Sequence, residues 1–181
     1  MIFLETPLRG AYLIELEKHE DDRGFFARSW CTAEFSSKGL DTRLVQCNVS
    51  FNKKKGTLRG LHYQMPPHGE TKLVRCTRGA LYDVIVDLRA DSATFLKWFG
   101  AELTADNYRM LYIPQRFAHG FQTLEDGTEI FYQMSEFYAP EAAKGIRWND
   151  PRVRIVWPEA NRTMSQKDQE YVDLDRTFLG I

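Results

Sequence analysis

The chain has 181 residues, 43% hydrophobic and 13% aromatic, enough for one domain with a sizeable core. A formal net charge of -1 leaves no overall basic field, which argues against nucleic acid or an anionic membrane surface as partner. No apolar run approaches the roughly 20 residues that a membrane helix needs.

The first residues, Met1-Ile2-Phe3-Leu4-Glu5, lack the basic region and long apolar stretch of a signal peptide. Gly10 to Leu16 reads as a strand, and Glu17 to Gly24 as a polar turn. Phe25 to Trp30 resumes as an aromatic strand. Thr32 to Lys38 is a short helix, with Thr32 expected as N-cap and Gly39 ending it. Leu44 to Ser50 is again strand-like, followed by the polar run Asn52-Lys53-Lys54-Lys55-Gly56, read as a solvated turn. The three cysteines, Cys31, Cys47 and Cys76, are odd in number and widely spaced. They neither pair fully nor make a zinc-type cluster, so free thiols in the cytosol are expected.

The stretch Gly56-Thr57-Leu58-Arg59-Gly60-Leu61-His62-Tyr63-Gln64 alternates as a strand does. On a regular strand Arg59 and His62, three residues apart, face opposite ways. A bulge or bend near Gly60 is needed to aim both into one cleft, and Gly60 itself is expected to leave open space beside His62. The ordinary alternative is a surface arginine beside a core histidine.

Met65 to Gly69 forms a loop, Lys72 to Cys76 a strand, and Ala80 to Leu88 alternates around β-branched residues. Further strands are expected at Trp98 to Leu103, Arg109 to Ile113, Phe117 to Thr123 and Glu129 to Met134. Ser165 to Tyr171 reads as a helical turn carrying Lys167 and Asp168. Short strands at this spacing, with few helical patterns, predict an antiparallel sandwich or barrel. No repeat or low-complexity segment is present.

Jelly-roll barrels often hold a metal, typically through His-x-His on one strand, a nearby Glu and a later His. Here the candidate is His62-Tyr63-Gln64, without the second imidazole. His119 could add a later ligand, but two imidazoles without a fixed third group make a poor divalent site, so no metal is expected. His19 and His68 lie in polar loops. The remaining inventory is acid–base chemistry. An imidazole titrates near neutrality, so His62 could act as a base if a carboxylate orients it. Asp83, Asp87 and Asp168 are candidates that the sequence does not rank. Tyr132 and Tyr138 could serve as acids, and Lys72 could stabilise a forming oxyanion. Arg59, Arg23 and His119 could bind an anion such as a diphosphate. The ordinary readings are barrel aromatics for the tyrosines and surface charges for Lys72 and Arg23.

Several motifs in order bear on this choice. Asp22-Arg23-Gly24-Phe25-Phe26, Gln46-Cys47-Asn48-Val49-Ser50, Leu58 to Gln64, Lys72-Leu73-Val74-Arg75-Cys76 and Ile113 to Phe121 run at characteristic spacing. Tyr132 with Tyr138-Ala139-Pro140, Arg147-Trp148-Asn149-Asp150-Pro151, Trp157-Pro158 and Ser165-Gln166-Lys167-Asp168 follow. From about Ile2 to Asp168 the chain resembles the dTDP-4-dehydrorhamnose 3,5-epimerase family. The resemblance implies a cupin-like jelly roll, a double-stranded β-helix that is all-β apart from a few short peripheral helices. It further implies one epimerase domain over residues 1–181, with the core at roughly 10–160 and the segment 161–181 packing on it. No metal and no cofactor are implied. The activity implied is epimerisation of a nucleotide-linked 4-keto-6-deoxyhexose by a homodimer, through proton removal beside the ketone.

On the family's pattern His62 is the base, held in its tautomer by Asp168. Tyr132 returns the proton from the other side, and Lys72 neutralises charge on the sugar's O4. Arg59, His119, Gln46, Asn48, Tyr138 and Lys167 match positions that hold the substrate or its diphosphate. Arg23, Phe26 and the segment to Arg28 match residues delivered to the nucleotide across the dimer interface. Arg28 stands where the family usually has a glutamate that contacts the base. A carboxylate can accept from thymine N3–H, whereas arginine only donates and would suit the acceptors of cytosine. A CDP-linked sugar, inversion at C3 alone, a 3,4-ketoisomerase and a non-catalytic sugar-nucleotide-binding cupin are therefore the competing expectations.

Overall fold

A computed structural model describes residues 1–181. The elements in order are β1 (Ile2–Glu5), β2 (Tyr12–Glu15), β3 (His19–Asp21), β4 (Gly24–Phe26), α1 (Thr32–Ser37), β5 (Gln46–Asn52) and β6 (Leu58–Gln64). There follow β7 (Lys72–Arg78), β8 (Ala80–Asp87), β9 (Trp98–Thr104), β10 (Met110–Ile113), β11 (Phe117–Thr123), β12 (Thr128–Met134), β13 (Ala143–Gly145) and α2 (Gln166–Gln169). One sheet runs β1-β2-β10-β7-β12-β5, the other β13-β6-β11-β8-β9, and β3 pairs with β4 as a separate hairpin. The named strands all pair antiparallel, and neighbours such as β2–β10 and β6–β11 are far apart in sequence. This is the expected all-β jelly roll with short peripheral helices. No helix is long and apolar enough to cross a membrane.

Alternation decides what each strand buries. On β8, Leu81 and Ile85 enter the core between the sheets, with Val74 of β7, Leu111 of β10 and Ile130 of β12. Val84 and Val86 turn to the opposite face and join Leu58, Leu61, Ile146 and Trp157. Both faces of β8 are covered, so its sequence is nearly continuously apolar. Leu174, Phe178 and Ile181 pack against that outer cluster, and Ile181 N–H donates to the Leu88 carbonyl at 2.8 Å. On the far side of the other sheet, Phe35 of α1 packs among Phe3, Trp30 and Tyr112.

Five local expectations need correction. The polar stretch before Gly24 contains β3, and the aromatic strand ends at Phe26. The N-cap of α1 is Cys31 with no side-chain cap bond, so Thr32 is already helical. Asn52 is not part of a solvated turn; it is buried at the end of β5. Gly60 has no open space beside it. Its φ is +123°, and a Cβ there would lie 2.6 Å from Gly120 Cα.

The bulge that the sequence demands is present at that glycine. His119 pairs with His62 and Phe121 with Arg59, so three steps along β6 oppose two along β11. The extra residue reverses the alternation, sending Leu58 and Leu61 outward to the apolar cluster while Arg59 and His62 open into one cavity. Gly60→Ala adds an unfavourable positive φ and a clash with backbone, and we expect a loss of about 3 kcal/mol in urea unfolding. A loss within the usual scatter of surface substitutions would contradict this account of the bulge.

Candidate active site

His62 projects from the middle of β6. Its Nε2 lies 2.6 Å from Oδ1 of Asp168, which is nearly fully buried on α2. Ser165 caps that short helix by accepting from the Asp168 N–H at 3.1 Å. Burial pushes the Asp168 carboxyl up. The hydrogen bond and charge of His62, with Ser165 and the Gly60 backbone, outweigh it and hold the group below the ordinary 3.8. An ionised Asp168 accepts the Nε2 proton, which leaves Nδ1 as the basic nitrogen. Asp168 is thus the orienting carboxylate among the three candidates. Asp83 instead pairs with His119, Oδ1 to Nε2 at 2.7 Å, and Asp87 with Arg89 at 2.7 Å.

His62, Lys72 and Tyr132 line a cavity of about 390 Å³ between the two sheets, and the same three line an adjoining one of about 180 Å³. His62 enters from the five-stranded sheet, whereas Lys72 on β7 and Tyr132 on β12 enter from the six-stranded sheet. Burial chiefly pushes the Tyr132 phenol up, with the Glu70 charge adding and Arg59 opposing, so it is a protonated donor near neutrality. Lys72 is not a surface charge: it is buried, with Nζ 2.8 Å from Glu70 Oε1.

The larger cavity is walled by Gln46 and Asn48 of β5, Tyr138 at its mouth and Lys167 on α2. Gln46 Oε1 accepts from the Tyr138 N–H at 3.2 Å, tying the tyrosine's loop to β5. The smaller cavity holds Arg59 and His119. Arg59 Nε donates to Asn52 Oδ1 at 2.8 Å, and its guanidinium opens toward the cavity. This end of the cleft gathers the groups suited to an anion.

Three predicted site residues are not at the cavity of their own chain. Arg23 is exposed and pairs with Asp21 on the β3–β4 hairpin. Phe26 is 71% exposed, and Arg28 donates to Glu34 at 3.2 Å. Glu70 and Tyr171 also stand at the site, although they are not among the candidates read from the sequence. Glu70 lies two positions before Lys72 and outside β7, so no strand pattern marks it; its ion pair with Lys72 brings it to the site. Tyr171 sets its ring edge-on to His62, centroids 5.9 Å apart, over Gly145, where a Cβ would collide with it.

A family model described as dTDP-4-dehydrorhamnose 3,5-epimerase matches residues 5–176. A protein of that description from Shigella flexneri is 42% identical over 179 residues, covering 97% of this chain and 98% of its own length. The crystal structure of one from Elizabethkingia anophelis is similar with a TM-score of 0.94 at 39% identity, covering 98% of each chain. Another, from Bacillus anthracis with TDP and PPi bound, has a TM-score of 0.91 at 43% identity, covering 96% of this chain and 99% of that one.

The depressed Asp168 carboxyl gives a signed pH dependence. A group held below its ordinary 3.8 in the fold stabilises fully above that value and loses its contribution as pH falls through the folded pKa. Asp168→Asn should therefore cost stability in urea unfolding at neutral pH, with the gap to wild type narrowing well below pH 3.8. A gap that is constant across that range would contradict the assignment.

Proposed function

The chain belongs to the dTDP-4-dehydrorhamnose 3,5-epimerase family of sugar-nucleotide epimerases, and we propose that it inverts C3 and C5 of dTDP-4-keto-6-deoxyglucose. The observation that carries this reading is the placement of His62 and Tyr132 on opposite sheets around one cavity, with Lys72 beside them.

His62 Nδ1 takes the proton from the carbon next to the C4 ketone, and the C–H electron pair moves onto O4 as an enolate. Lys72 stabilises that oxyanion, a contribution of the order of 10²–10³ in rate. Tyr132 donates its phenolic proton to the opposite face, and the enolate collapses to the ketone with the carbon inverted. The imidazolium and phenolate then exchange protons with solvent, restoring both groups. Asp168 keeps Nδ1 unprotonated and in place. Arg59 and His119 bind the diphosphate, while Gln46, Asn48, Tyr138 and Lys167 hold the rest of the substrate.

The exposed β3–β4 hairpin supports a homodimer in which Arg23, Phe26 and the segment to Arg28 reach the neighbouring site. The Bacillus anthracis relative was crystallised with TDP, which supports thymidine here. Arg28, the residue that favours cytidine, is engaged by Glu34 through an exposed pair that is weak by nature. Three free thiols fit a reducing, cytoplasmic setting. The product would feed a surface polysaccharide or a glycosylated metabolite.

Solvent deuterium uptake by dTDP- and CDP-4-keto-6-deoxyglucose tests this reading. Label at both C3 and C5 of the dTDP sugar is expected; label at C3 alone would indicate a mono-epimerase, and none with either nucleotide a binding module. His62→Ala should abolish exchange without unfolding the protein, and Lys72→Met should slow it about 10²–10³-fold. Near wild-type exchange in His62→Ala would remove the imidazole from its role.

A further inference from the structure

Glu70 is the acidic group at the cavity that the reaction above does not use. Its side chain is 6% exposed. Oε1 takes the Lys72 ammonium at 2.8 Å, while Oε2 is buried and accepts no hydrogen bond from the protein. An ionised carboxylate has about four acceptor sites, and a buried one without a partner is costly. The backbone that carries it is anchored at the next residue. Thr71 N–H donates to Ser135 Oγ at 2.8 Å, and the Thr71 carbonyl accepts from Ser135 N–H at 3.0 Å. Glu70 thus lines the larger cavity as a carboxylate paired with the cation assigned to the ketone oxygen.

A catalytic oxyanion site is a poor place for a spare negative charge, because a carboxylate near an enolate opposes it. Its presence needs a use that outweighs that cost. A 4-keto-6-deoxyhexose supplies one: it carries a single hydroxyl on a carbon adjoining the ketone, at C3. The two oxygens of such an α-hydroxy ketone are neighbours, one an acceptor and the other a donor. The Lys72–Glu70 pair presents the complementary order, a donor and an acceptor side by side. Resting on the epimerase reading, we propose that Glu70 is a specificity-determining residue whose carboxylate accepts the C3 hydroxyl while Lys72 holds the C4 oxygen. The pair then reads the α-hydroxy ketone as a unit. The carboxylate's charge also sustains the protonated state of the neighbouring Tyr132.

The test compares solvent deuterium exchange at C5 for dTDP-4-keto-6-deoxyglucose and its 3-deoxy counterpart, in wild type, Glu70→Gln and Glu70→Ala. A hydrogen bond to a charged acceptor predicts a wild-type kcat/KM preference of about 10- to 100-fold for the 3-hydroxy sugar. The preference should shrink in Glu70→Gln, whose neutral amide oxygen is a weaker acceptor, and nearly vanish in Glu70→Ala. If Glu70 only positions Lys72, both substrates slow equally and the preference survives, which overturns the proposal. Where Glu70→Ala fails to fold or to exchange, the Gln variant decides by the same ratio: a reduced preference supports the assignment and a wild-type one overturns it. A wild-type enzyme that exchanges neither sugar would overturn the epimerase reading and this inference with it, whereas an exchanging wild type with an unmoved ratio overturns the Glu70 assignment alone.

Discussion

Inverting a carbon requires a base on one side of it and an acid on the other, and two sheets packed face to face provide those sides. Everything at this site follows from that constraint. His62 belongs to β6 in the five-stranded sheet and Tyr132 to β12 in the six-stranded sheet. Neither could approach the other's face without unpairing its ladder. The separation is therefore set by the sheets and their apolar filling, and the side chains need only point inward. Close-packed interiors yield little, which suits a reaction that tolerates little misplacement.

Three buried aspartates are each paired with a basic side chain, and their surroundings sort them by task. Asp87 is fully buried and accepts from Arg89, Ser92 and Thr94; burial raises its pKa, but these donors prevail and bring it to about 2. Every acceptor on it is answered within the fold, the mark of a structural anchor. Asp83 is also fully buried, with one oxygen on His119, whose ring reaches the cavity with little exposure. Asp168 alone supports an imidazole that is 42% open. The same His–Asp bond thus holds a shielded imidazole in one place and an accessible one in the other.

Much of the site was legible in the sequence because strand alternation is a local rule. His62, Lys72 and Tyr132 were each placed on the correct strand, and the position of the bulge followed from the need to turn Arg59 and His62 together. The choice of Asp168 over Asp83 and Asp87 was not legible from residue types, because the partners lie 106 residues apart and meet only through tertiary packing. Short pieces were also lost: β1, β3 and β13 have three or four residues each, and their pairing owes more to neighbours than to pattern. Glu70 escaped notice for a different reason. A glutamate before a strand reads as solvated, and only the ion pair with Lys72 explains its burial.

On the proposed mechanism the hexose lies between the imidazole and the phenol. A crystal structure of the protein with a dTDP-linked 4-keto-6-deoxyhexose or its reduced analogue measures it directly. His62 Nδ1 is expected against one face of the ring, Tyr132 Oη against the other, and the O4 oxygen on Lys72 Nζ. Both side chains on the same face, or a sugar seated outside the space between the sheets, would contradict it.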